Sequence, residues 1–199
     1  MGRRSEHSRE ELTSLIVDAA LQLVREQGPD SVTARQIAQA IGYTPGTLYS
    51  IFENLQAIYL HVNVVSLQAL HEECVKAQQK ARDPERAIRA MGLAYLGFAA
   101  KHANQFQLMF QPMPKSGVTH PVELVELILS LFELVEQELK KLDPSASDDA
   151  VALGATTLWS GVHGAAALNL TDQLDSNKKD SERLIVNMLV SRFVDSWQR

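Results

Sequence analysis

The chain has 199 residues, 45% of them hydrophobic and 22% charged, with a formal net charge of −5 at pH 7. That balance is ordinary for a soluble globular protein and excludes a disordered or fibrous one. The single cysteine, Cys74, rules out an internal disulfide framework and any multi-cysteine metal site. No apolar run reaches the length that a bilayer requires. The residues after Met1 show no apolar signal region, so a cytoplasmic location is expected.

Helical periodicity runs along almost the whole chain and no stretch alternates with period two, which predicts an all-α fold of about nine helices. Ser8 and Glu11 are spaced as a capping box, and Leu12, Leu15, Ile16, Ala19, Leu23 and Val24 follow as one buried stripe. Gly28-Pro29 ends that helix. Thr33 and Gln36 form a second box ahead of Ile37, Ala40 and Ile41, and Gly42 stops the helix they begin. Thr44 caps the next helix, with Pro45 in the first position where a missing N–H costs nothing. It is expected to last only to about Ile51, after which Asn54 caps a long helix reaching about Gln79.

Asp83-Pro84 opens a helix through Lys101, and a short one spans about 103–110. The stretch 111–120 reads as a loop. Further helices are expected over 121–141, 148–170 and 181–198.

The segment Thr33–Phe52 is the most informative. Two short helices joined by a tight turn at Gly42-Tyr43 make a helix-turn-helix, whose second helix is able to lie in a DNA major groove. Spacing alone does not separate it from helical corners that never touch DNA.

The residues themselves carry more. Thr33-Ala34-Arg35-Gln36-Ile37-Ala38 leads through Ile41-Gly42-Tyr43-Thr44 to Gly46-Thr47-Leu48-Tyr49 and Phe52. This pattern resembles the N-terminal domain of TetR/AcrR transcriptional regulators over about Glu10 to Val62. Trp159, His163 and Gly164, with Ala94-Tyr95-Leu96 and Phe98 to Phe110, are similar to the WHG-domain subgroup of that family. The resemblance implies a DNA-binding domain over 1–54 and a ligand-binding and dimerisation domain over 55–199. It further implies a homodimeric repressor that binds a palindromic double-stranded operator and is released by a small, largely apolar or aromatic effector.

Carried over by position, Thr33, Arg35 and Gln36 open the first helix of the motif, where Arg35 matches a place that reaches base edges. Arg bonds guanine bidentately. Thr44, Gly46, Thr47 and Tyr49 match the phosphate-contacting face, and Pro45 and Ser50 match positions near the bases. Thr33 and Thr44 would serve as caps in any helix; Arg35, Gly46, Thr47 and Tyr49 exceed that explanation. Three features depart from the family. Leu55 stands where a phosphate-pairing lysine is common, and Ile51 where His or Tyr is frequent. Residues 1–56 also hold five Arg and no Lys against seven acidic side chains, a net of −2. Weaker operator binding than in a basic relative is therefore expected, unless the tail of Arg3, Arg4, His7 and Arg9 adds contacts of its own.

Beyond Leu55, Tyr95, Phe98, His102, Phe106, Met109, Phe110, Met113, Phe132, Trp159 and His163 gather most of the larger aromatic and Met side chains. The resemblance places an effector cavity among them, although each taken singly also suits plain core. Gly154, Gly161 and Gly164 lie inside one expected helix, and each costs about 1 kcal/mol relative to Ala. A compensating close approach is implied. Leu158, Gly161, Val162 and Ala165 with Ile185, Met188, Leu189 and Phe193 are the expected dimer contacts; packing within one chain is the other use for these faces.

Catalytic signatures do not assemble. His71-Glu72-Glu73-Cys74 are consecutive on a helix and diverge by about 100° each, so they cannot converge on one metal. Ser160-Gly161 follows Leu158, not the glycine of a nucleophile elbow. No enzyme, metal or cofactor is expected. A helical interaction protein that has lost DNA binding is the competing reading, prompted by the acidic N-terminal segment. Cys74 is expected to be a partly buried small hydrophobe.

Overall fold

The computed structural model describes residues 7–112, 119–174 and 180–197. Among these the chain forms nine α-helices, one 3-10 turn and no strand. The helices are α1 (Arg9–Gln27), α2 (Ala34–Ala40), α3 (Pro45–Tyr49), α4 (Leu55–Lys80), α5 (Pro84–Lys101), α6 (Ala103–Met109), α7 (Val122–Leu142), α8 (Asp148–Leu170) and α9 (Ser181–Trp197). The turn Pro29–Ser31 follows α1. No helix among the described residues is long and apolar enough to cross a membrane.

Local chemistry sets the boundaries. Both capping boxes form: Ser8 Oγ accepts from the Glu11 N–H at 3.2 Å, and Thr33 Oγ1 from the Gln36 N–H at 3.3 Å. In return, Glu11 Oε2 and Gln36 Oε1 accept from the cap N–H groups at 2.7 and 2.8 Å. Asn54 Oδ1 accepts from the Ala57 N–H, which starts α4. Gly28 (φ 79°) and Gly42 (φ 73°) adopt the left-handed backbone that lets the chain leave α1 and turn after α2.

The chain divides into two compact units, each drawn from two segments. The first comprises Met1–Ser66 and Asn104–Val125. Its core joins Leu12, Ile16, Ala20 and Val24 of α1 to Ile37, Leu48 and Phe52, and to Ile58, Tyr59 and Val62 of α4. Leu108 of α6 completes it, so the expected cut after residue 54 falls inside this unit. Polar contacts fasten the returning segment: Asn104 Nδ2 donates to the Arg25 carbonyl at 3.0 Å, and Gln107 and Gln111 donate to the Asp30 carboxylate. The Tyr59 hydroxyl donates to the Pro29 carbonyl at 2.8 Å.

The second unit comprises Leu67–Ala103 and Glu126–Arg199. Here α5, α8 and α9 pack on one another. A Cβ at Gly92 would stand 3.0 Å from Val186 and 3.4 Å from Val162, so the glycine lets three helices converge. Buried Glu138 accepts from Gln78 Nε2 at 2.8 Å and from Lys141 Nζ at 2.7 Å, which binds α7 to the C-terminal half of α4. Cys74 is buried more fully than expected, and burial pushes its thiol up to about 12.

Candidate nucleic-acid interface and effector cluster

The helix-turn-helix is built by one buried side chain on a short helix. α3 has five residues, and Leu48 is its buried member. With Leu48 fixed inward, Pro45, Gly46, Tyr49 and the following Ser50 remain exposed, as do Thr33, Arg35 and Thr44 at the starts of the two motif helices. The motif thus offers hydroxyls, a guanidinium and a phenol on its outer side. Tyr49 is 50% exposed, unusual for a large ring and suited to contact with another molecule.

Two of the expected DNA contacts are committed within the protein. Gln36 spends its amide oxygen on the Thr33 cap and donates to Gln27 Oε1 at 3.3 Å. Thr47 is half-buried, and its hydroxyl lies 3.0 Å from that of Thr44. Sequence reasoning missed a contact at the turn: His7 Nδ1 is 2.8 Å from the Tyr43 hydroxyl. It brings the start of the basic tail to the motif, while Arg3 and Arg4 lie outside the described residues.

The expected effector residues divide between the units. Tyr95, Phe98, His102, Phe132, Trp159 and His163 belong to the second, and Phe106, Met109 and Phe110 to the first. In the first unit Phe106 and Phe110, four residues apart, pack with centroids 4.9 Å apart. Met113 lies outside the described residues. In the second, a chain of rings forms. Phe132 meets Trp159 edge-on at 5.8 Å, Trp159 stacks on His163 at 5.2 Å, and His163 Nδ1 lies 3.0 Å from the Tyr95 hydroxyl. Phe98 packs on His102 at 4.8 Å.

Burial keeps the polar end of this ring chain neutral. It raises the Tyr95 phenol far above its ordinary value, against a smaller opposing effect from a hydrogen bond with the Trp159 side chain. It lowers His163 from the ordinary 6.5. In the first unit burial likewise lowers His61, partly offset by the negative charge of Glu123. A base whose folded pKa is depressed binds fewer protons than in the unfolded chain, so stability rises with pH. The contribution is complete above the unfolded value of about 6.5 and is lost as pH falls below it toward the folded value. The melting temperature should therefore drop on acidification just below pH 6.5. His163→Gln should flatten the pH dependence, and an unchanged slope in that variant would refute the assignment.

The expected dimer set is also divided by the structure. Leu158, Val162 and Ala165 are buried inside the protomer, and Gly161 makes room for Leu189 of the same chain. Gly161 therefore serves the packing of α8 on its own α9, and Val162 lies beside Gly92 of α5. Phe193 is half-buried and stacks on Trp197 at 5.4 Å. Exposed apolar side chains remain at Ile185 and Met188 and, unanticipated, at Leu153 and Leu184.

A corner of two capped short helices with polar side chains turned outward, on a helical body, defines a helix-turn-helix DNA-binding regulator. The family model for bacterial regulatory proteins of the tetR family matches residues 16–62, and that for the tetracyclin repressor-like C-terminal domain matches 88–191. The chain belongs to the tetR family, and it is a ligand-responsive, DNA-binding transcriptional regulator. The C-terminal match spans Trp159, His163 and Gly164 together with Ala94-Tyr95-Leu96 and Phe98 to Phe110, the residues that carry the WHG likeness.

Solved structures share the fold. A protein of unknown function from Rhodococcus sp. RHA1 matches with a TM-score of 0.76 at 18% identity, covering 100% of both chains. A tetR-family transcriptional regulator from Streptomyces coelicolor matches at 0.65 and 20% identity, over 97% of this chain and 80% of that one. FadR from Thermus thermophilus, a TetR family repressor in complex with lauroyl-CoA, matches at 0.67 and 20% identity, over 92% and 93%.

Proposed function

We propose that this chain is a homodimeric repressor that leaves its operator when a small, neutral, largely apolar or aromatic effector binds. The observation that carries the DNA half is the exposed set Arg35, Thr44 and Tyr49 on a corner whose inner side is anchored by Leu48. Arg35 reads base edges, and Thr44 and Tyr49 hold phosphate. Two copies would present their α3 helices to major grooves roughly 34–36 Å apart, one helical turn. Leu153, Leu184, Ile185 and Met188 supply the apolar face through which the copies pair. The carboxyl-rich first unit makes the contact sparse in cations and the affinity modest.

The Phe132–Trp159–His163–Tyr95 chain supports the effector half. Its rings suit an aromatic or apolar body, and its polar groups are held neutral.

Operator binding by two variants tests the assignment. Arg35→Ala should lose roughly 1–3 kcal/mol of discrimination between specific and random DNA. Tyr49→Phe should weaken binding to all sequences alike. Wild-type protein that retains its dimer yet shifts no DNA at low salt would overturn the proposal in favour of an interaction protein.

A further inference from the structure

The start of α1 is fastened to the helix-turn-helix by a contact that α1 itself does not supply. His7 Nδ1 lies 2.8 Å from the Tyr43 hydroxyl, with the ring centroids 6.1 Å apart. Tyr43 sits in the turn between α2 and α3, one residue before the Thr44 cap, and its N–H donates to the Ala38 carbonyl at 2.9 Å. Its ring is half-buried and packs on the core of the first unit, which makes its hydroxyl a fixed point. On the other side, the Ser8–Glu11 capping box fixes the residues that follow His7. Together the contact and the box hold residues 7–11 against the turn of the motif, although 36 positions separate His7 from Tyr43.

That placement bears on charge. Among the described residues of the first unit the arginines are Arg9, Arg25 and Arg35, and there is no lysine. Arg25 donates through Nε to buried Gln105 at 3.0 Å, near the other end of α1 and about 24 Å from Arg9 along the helix axis. Arg9 is exposed on the first turn of α1, two residues beyond His7. A guanidinium held there suits a phosphate oxygen. The neighbouring carboxylates are directed elsewhere: Glu11 accepts from the Ser8 N–H at 2.7 Å, and Glu10 projects about 100° from Arg9 around the helix. Ordering the helix start in advance also removes a conformational cost that binding would otherwise meet.

We propose that Tyr43 is a positioning residue: through His7 it holds the first turn of α1 beside the motif, where the Arg9 guanidinium takes a DNA phosphate. This rests on the reading of the exposed corner as the DNA-binding surface. The test uses a duplex that the wild-type protein enriches from a random pool, with affinity followed by fluorescence anisotropy between about 50 and 200 mM salt. Arg9→Gln should weaken binding to this duplex and to random DNA alike, and reduce the salt slope by about one unit per chain bound. Tyr43→Phe keeps the ring and removes the hydroxyl. It should weaken binding about two- to tenfold, the worth of one hydrogen bond, and move the slope toward that of Arg9→Gln. In the Arg9→Gln background Tyr43→Phe should change neither affinity nor slope. His7→Ala, which breaks the contact from the other side, should behave as Tyr43→Phe does. Equal loss of affinity from Tyr43→Phe in both backgrounds with the slope unchanged would make the hydroxyl purely structural. That result, or a wild-type slope in Arg9→Gln, would overturn the inference and leave the corner as the DNA surface. A wild-type protein that enriches no duplex would instead overturn the reading of the corner, and the inference with it.

Discussion

Leu48→Ala should destabilise the first unit by about 3–5 kcal/mol and abolish operator binding. α3 is a five-residue helix, far below the length at which a helix holds itself together in water. Its Thr44 cap contributes about 1 kcal/mol, so the placement of the helix falls to Leu48, which is fully buried against the residues of α1, α2 and α4. Truncation removes the anchor and leaves a cavity beneath the DNA-facing surface. Urea unfolding monitored by circular dichroism gives the stability loss, and a mobility shift gives the affinity. A loss below about 1 kcal/mol would show that α3 is held by something other than this side chain.

Gly154→Val should cost the second unit about 2–3 kcal/mol by overpacking. A Cβ at Gly154 would stand 2.8 Å from Trp197 Cζ3 and 3.1 Å from Leu139 Cδ1. The indole has little freedom to withdraw: its Nε1 donates to the Leu139 carbonyl at 3.2 Å, and its ring stacks on Phe193. Gly161→Ala makes the contrast. The three atoms nearest its Cβ would be the terminal methyls and Cγ of Leu189, and a rotamer change can clear them, while alanine's helix propensity returns about 1 kcal/mol. Thermal melts of the two variants should differ by several degrees, with Gly154→Val the lower. The reverse order would refute the packing account of this helix pair.

The helix boundaries were legible because their signals act over three or four residues. Ser8 with Glu11, Thr33 with Gln36, and Asn54 with Ala57 are each a side chain and a backbone N–H within one turn. Gly28 and Gly42 mark left-handed turns for the same local reason. The DNA-reading corner followed from those signals together with the Gly-Thr-Leu-Tyr stretch, since its outer side chains are defined once Leu48 is known to point inward.

The effector and dimer residues were less legible, because residue type alone does not say what a ring or a small side chain faces. Periodicity put Leu158, Val162 and Ala165 on one face; only packing showed that they are buried within the protomer, where α8 meets both α5 and α9. Phe106 and Phe110 fall in the first unit and Trp159 in the second, a division that residue type does not reveal.

From the sequence alone came the all-helical class, the caps, the turn and the pairing of the two short helices in a DNA-binding corner, all consequences of hydrogen bonds and apolar spacing inside a few consecutive residues. The tertiary structure decided which faces are spent within the protomer, and that His7 reaches Tyr43 and Arg25 reaches Gln105. Those contacts join residues 36 and 80 positions apart, and a buried polar atom is costly only in the three-dimensional surroundings that exclude water.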